Sequence, residues 1–282
     1  MEMTKSEDGV DDIIGAVADD AEAEFIRNVC ETELVTGSNL LSLLCPVVVM
    51  ICSKPKKYHD KNLRASVVLA LAKYMCVSSM VCQKYIQLLV TVMEQSPEPV
   101  IRGNCVIALG DLCYRFPNIT EPWSPNIYGR LRDEADSVRH NTLMVLTHLI
   151  MNDMVKVKGQ ISDMALCILD PNRKLSEIAK LFFKELAQKG NALYNVMTDI
   201  ISRLSNPALG VPESSFQTIL SFLIQLIQKD RQIDSLVEKL CLRFQTTSSG
   251  AFLDKPAEEN KGLPGTGNKG PTAESQDKGP ES

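Results

Sequence analysis

The chain is poor in the residues that most enzymes work with. Among 282 residues there are three histidines and one tryptophan, and aromatics make up 5%. His140 and His148 are eight positions apart, about 80° around a helix, which suits no shared metal ion. His59, the third, has no patterned cysteine or carboxylate beside it. No Ser-His-Asp ordering and no H-E-x-x-H occurs, so no nucleophile has a base within reach. One G-x-G-x-x-G is present, Gly265–Gly270, but it lies in a Gly/Pro-rich stretch. Phosphate cradling needs a strand before that motif and a helix after it. The expectation is no catalysis, no cofactor, no metal and no small-molecule substrate.

Other absences narrow the class further. There is no C-x-x-C among the nine cysteines and no secretory signal, so reduced, buried thiols inside a cell are expected. The longest apolar run, Leu40 to Cys52, has 13 residues and contains Pro46. A membrane span needs ~20, so none is expected. Period-two alternation is missing over any useful length, which excludes a sheet core.

What the chain does have is a repeated stripe. Ile101, Cys105, Ala108, Leu109 and Leu112 follow offsets 0, 4, 7, 8 and 11, one face of a helix. The offsets recur from Leu63, Val138, Leu175 and Phe216, in steps of 38, 37, 37 and 41 residues. Another apolar helical segment lies between successive stripes, so the unit is a helix pair. A period near 37 predicts an all-α α-solenoid of about five HEAT-type or armadillo-type pairs. Arg64, Arg102 and Arg139 each follow the first stripe residue, and Ser96, Asp133 and Asp170 each precede it by five. In HEAT repeats such acids and arginines commonly pair across neighbouring units, although helix capping and solvated charge explain many of the same positions.

Composition sets the expected boundaries. Residues 1–24 carry a net charge of −8 and residues 246–282 a net of −2, leaving +5 between them. The expected organisation is an acidic, disordered segment at 1–20, a solenoid at 21–245 and a disordered tail at 246–282. The tail contains six Gly and four Pro. Pro117, Pro122 and Pro125 crowd the connection after Arg115 and shorten the next helix to about 126–131.

The densest cationic cluster is Lys54, Lys56, Lys57, Lys61 and Arg64, with His59 among them. Further cations occur at Arg130, Arg132, Arg139, Lys156, Lys158, Arg173, Lys174, Lys180 and Lys184. A solenoid can align such residues along a phosphate backbone, or they can be ordinary solvated charge. No aromatic interleaving points to base readout, so any DNA contact would ignore sequence. Ser96-Pro97 and Ser124-Pro125 fit the minimal proline-directed phosphorylation pattern, and each also fits a turn or cap.

Several runs carry a closer resemblance. GDLCYRFPNITEPWSPNIYGRLRDEADSVR (Gly110–Arg139), THLIMNDMVKVKGQISDMA (Thr147–Ala165), LFFKELAQKGNALYN (Leu181–Asn195), DIISRLSNP (Asp199–Pro207) and VEKLCLRFQT (Val237–Thr246) are similar to the C-terminal HEAT region of the D-type HEAT-repeat subunits of condensin. The resemblance covers roughly Ile13 to Thr246, with the Pro122-Trp123 pair and the Val157–Gln160 run its most specific parts. It implies a non-catalytic scaffold of the complex that condenses mitotic chromosomes. Its partners would be the kleisin subunit, the SMC ATPase subunits and DNA in chromatin, in the nucleus and cytoplasm and on chromosomes in mitosis. The family's chains are several times longer, and after Thr246 this sequence leaves their pattern. The alternatives are the homologous condensin II subunit, or a nuclear transport or phosphatase-type HEAT adaptor that binds proteins without DNA.

Overall fold

The computed structural model describes residues 20–35, 38–155 and 160–251, with side chains placed as far as residue 242. The segments 1–19 and 252–282, where disorder was expected, fall outside the described residues. The chain divides into two units, Met1–Glu238 and Lys239–Ser282. In the second, the described part is the end of one helix, which runs to Ala251 instead of stopping at 245.

The first unit is an all-α solenoid, with no strand among the described residues. Helix α1 (20–29) continues as a π-helical turn, Cys30–Leu34. Five pairs follow: α2 (Leu40–Ser53) with α3 (Lys61–Val77), and α4 (Ser79–Gln95) with α5 (Pro99–Arg115). A four-residue helix, α6 (Pro117–Thr120), leads into α7 (Ser124–Gly129) and α8 (Asp136–Met151). Then come α9 (Ile161–Leu166) with α10 (Arg173–Gln188), and α11 (Ala192–Leu204) with α12 (Glu213–Gln225). Helix α13 (Asp230–Ala251) ends the described chain. No helix among the described residues is long and apolar enough to cross a membrane.

Local chemistry starts these helices where the sequence puts cap residues. The Asn39, Asp60, Ser78 and Asn172 side chains each accept a hydrogen bond from a backbone amide of the first turn. Glu31 caps from a distance: its Oε1 accepts from the Ser79 amide at 2.9 Å and the Ser79 hydroxyl at 2.6 Å, tying the π-helical turn to α4. The connection after Arg115 is itself helical, and the shortened helix expected at about 126–131 runs from Ser124 to Gly129. Pro117, Pro122 and Pro125 each sit at the first or second position of a short helical turn, where a missing amide costs nothing.

The second helices of the first four pairs, α3, α5, α8 and α10, pack one on the next. In the middle three stripes almost every position is buried, including Phe182 and Phe183, whose rings meet edge to face with centroids 4.9 Å apart. Gly110 permits the close approach of α5 and α8, since a Cβ there would stand 2.6 Å from Val145 Cγ1. The end stripes are less complete. In α3 the buried face is Val67, Val68, Leu71, Ala72 and Met75, turned by about one residue from the expected one, and Leu63 is 40% exposed. Helix α12 buries only Ile219 and Leu223, while Ile227 lies beyond its end. A terminal repeat has a neighbour on one side only, so its apolar face is set by fewer contacts.

The thiols are mostly interior, as their helix positions suggested. Burial pushes Cys82, Cys105 and Cys167 up to about 12. Cys241, also expected inside, is exposed. Replacing Phe183 by Ala should cost ~3–5 kcal/mol in chemical denaturation, because it opens a cavity where nothing can collapse. Leu63→Ala should cost well under half of that.

Candidate nucleic-acid interface

The basic loop between α2 and α3 is built by backbone turns. The Lys54 carbonyl accepts from the Lys57 and Tyr58 amides at 3.0 and 3.3 Å, which turns the chain sharply after α2. Asp60 then caps α3, its Oδ1 accepting from the Leu63 amide at 2.6 Å. Lys54, Lys56, Lys57 and Lys61 are all exposed, and among the described residues none has an ion-pair partner. Lys57 Nζ stands 5.5 Å from the centre of the Tyr58 ring. Beneath the loop is a cavity of about 450 Å³ that Pro55, Lys56, His59 and Arg64 help to line.

Arg64 differs from the lysines. It is half-buried, and its Nη1 lies 3.1 Å from Glu98 Oε2, in the turn before the next second helix. It is the first rung of a ladder. In the second rung Arg102 Nε and Nη2 grip Asp133 at 2.9 and 2.7 Å, while Nη1 donates to the Ser96 and Pro97 carbonyls, both at 3.0 Å. In the third, Arg139 Nε and Nη2 hold Asp170 at 2.8 and 3.1 Å. The pairing pattern read from the sequence is thus formed, with one change of residue. Glu98, not the position of Ser96, supplies the acid of the first rung, and the Ser96 hydroxyl donates to it at 3.1 Å. The available signal was a carboxylate at the residue preceding Pro99, next to the helix start.

The other arginines of the cationic set are engaged. Arg132 lies 2.6 Å from Asp163, Arg203 3.2 Å from the same carboxylate, and Arg173 2.7 Å from Glu177. Arg130 reaches Asp133 at 3.5 Å. Lys174 and Lys184 are exposed on α10 and Lys180 is half-buried there, whereas Lys156 and Lys158 fall outside the described residues. Of the two candidate phosphorylation sites, Ser96 is 5% exposed and enclosed by the ladder. Ser124 is half-buried at the start of α7, its hydroxyl donating to the Glu121 carbonyl at 2.9 Å. No group of His, Cys, Asp and Glu among the described residues is arranged to hold a metal ion.

Helix pairs in register, a buried inter-repeat ladder and a free lysine loop define a HEAT-type repeat scaffold. Residues 100–255, more than half of the chain, match the family model of non-SMC mitotic condensation complex subunit 1. The chain belongs to that family, as the resemblance in the Gly110–Arg139 and later runs implied. It is 52% identical over 234 residues to the Xenopus laevis protein named condensin complex subunit 1, covering 83% of this chain and 17% of that protein. The Homo sapiens protein of that name is 49% identical over 235 residues, with the same two coverages. The Saccharomyces cerevisiae one is 40% identical over 254 residues, 90% of this chain and 22% of that protein. The chain thus spans about a sixth of the length of the first two.

The ladder has an electrostatic consequence. Burial raises the Asp133 carboxyl, but hydrogen bonds from Arg102 and the Ala135 amide, with the charges of Arg102 and Arg130, outweigh it and hold the group below the usual carboxylate range. A carboxyl lowered by folding contributes stability above its unfolded value, about pH 4, and loses it as pH falls through the folded value. Urea midpoints should therefore drop at the acid end of a titration from about pH 6 to pH 2. Asp133→Asn should be less stable at neutral pH and show a smaller acid-dependent drop.

Proposed function

We propose that this chain is the HEAT-repeat part of a non-catalytic scaffold subunit of condensin, which joins the kleisin and SMC ATPase subunits and touches duplex DNA without reading its sequence. It would act in the nucleus and on mitotic chromosomes. Family membership supports the scaffold role. The DNA contact is carried by one observation: Lys54, Lys56, Lys57 and Lys61 stay exposed and unpaired while the nearby ladder arginines Arg64, Arg102 and Arg139 are spent on carboxylates. A lysine ammonium is a mobile point charge suited to a phosphate backbone of any sequence. Arg64 belongs to the ladder and serves the loop by anchoring α3.

Two arms test this reading. Tagged chain purified from mitotic cells should bring SMC and kleisin subunits with it, and recovery of transport factors or a phosphatase alone would contradict the scaffold role. Binding to duplex DNA should be weak, indifferent to sequence and steeply salt-dependent, with log K changing by about −0.9 per log salt for each phosphate neutralised. Lys56→Glu with Lys57→Glu should weaken all duplexes alike and leave stability within about 0.5 kcal/mol, as exposed charges allow. Unchanged binding in that variant would reduce the loop to a solvated turn.

A further inference from the structure

We infer that the outer face of the second helices is a docking surface for an extended segment of a partner protein, one with apolar side chains about three residues apart and charges opposite to those of Lys73, Asp111 and Glu185. The inference rests on the scaffold part of the proposed function and is independent of the DNA part.

The observation is a second periodicity, six residues after the first position of each stripe. Leu69, Ile107, Met144 and Leu181 occupy that place in four successive repeats and are 47%, 43%, 47% and 56% exposed. Single exposed apolar residues are ordinary. Four at one repeat position, on helices that pack side by side, make a column that the solenoid's own packing does not use. Depressions run between these helices: one of about 460 Å³ between α3 and α5, and one of about 330 Å³ between α5 and α8. Ile107 and Asp111 line both, so the two meet across α5.

Two polar columns flank the apolar one. Three residues earlier stand Asn104 and Asn141, half-buried and without a side-chain hydrogen bond among the described residues. A carboxamide offers both a donor and an acceptor, which is what the unpaired backbone of an extended chain requires. Four residues beyond the apolar column come Lys73, Asp111, His148 and Glu185, all exposed. Among the described residues Lys73, Asp111 and Glu185 have no ion-pair partner. Their order favours a ligand that sets an acid against Lys73 and bases against Asp111 and Glu185. A nucleic acid would instead meet two carboxylates, which argues for a peptide.

The spacing fits such a chain. Packed helices lie 8–10 Å apart, and a polyproline-type extended segment advances ~3.1 Å per residue and returns to the same face every third residue, about 9 Å on. Each depression can then take one side chain from every third position.

The probe is a random peptide library displayed on phage, selected against the full chain. Enriched peptides should carry apolar residues three apart with a Lys or Arg among them. Synthesised and labelled, they should bind Ile107→Glu and Met144→Glu at least about tenfold more weakly, the loss typical of an interface hot spot. Asp111→Lys should change the preferred charge at one position from basic to acidic. Thermal melts should match the parent, because the replaced side chains are exposed. No enrichment, equal binding to all three variants, or displacement of the peptide by duplex DNA would overturn the inference. Failure to recover SMC and kleisin subunits would count against the scaffold reading while leaving a positive peptide result in place.

Discussion

The arrangement depends on one buried guanidinium. Arg102 is 4% exposed and inserted between the turns of two neighbouring repeats. A charge removed from water must be paired and hydrogen-bonded or the fold does not tolerate it. Asp133 answers with both carboxylate oxygens, the Ser96 and Pro97 carbonyls accept from Nη1, and Glu134 Oε1 accepts from Nη2 at 3.2 Å. The apolar stripes drive helix pairs together, since none can cover its own face, but apolar contact has no direction. The forked pairing of arginine and carboxylate does, and it sets which turn faces which helix. Above it Arg64 and Glu98 repeat the arrangement, and below it Arg139 and Asp170. At the next position Ser176 replaces the arginine and its hydroxyl donates to the Ile168 carbonyl. The rungs stop there, and the following second helix, α12, buries only two residues.

This division of labour explains how the surface is distributed. The ladder arginines go inward, where a planar fork matches a carboxylate, and lysines stay outward on the α2–α3 loop. A chain that is acidic overall therefore still presents a concentrated cationic loop. The outer face of the second helices carries the other free chemistry: apolar columns, spare amides and unpaired charges of both signs. Lysines suit an invariant polyanion and a patterned apolar row suits a polypeptide, so the two surfaces need not compete.

Much of this was legible in the sequence because periodicity is a property of the chain. The stripes from Ile101, Val138 and Leu175 are buried as the 37-residue period requires, and the ladder acids Asp133 and Asp170 stand where the pattern puts them. The misreadings fall where the repeat weakens. Glu98 was overlooked because the first rung takes its acid two residues later than the others. The α3 face was misplaced by a residue because an end repeat is positioned by one neighbour. Three prolines near Trp123 shorten the next helix as expected, but each also occupies a helix start, which only the backbone course reveals. The loop lysines could be named in advance, but not separated from Arg64. Which cations are free depends on partners about 31–34 residues away.

The most direct measurement is a double-mutant cycle on the central rung, using Arg102→Met, Asp133→Leu and the pair together, with stabilities from urea denaturation. If the buried pair sets the register between repeats, each single change should cost about 3–5 kcal/mol by stranding a buried charge. The double variant should recover most of that loss, giving a coupling above about 2 kcal/mol. Losses that add to within about 0.5 kcal/mol would show that the two groups act separately, and the account of the fold as stacked pairs pinned by this rung would be wrong.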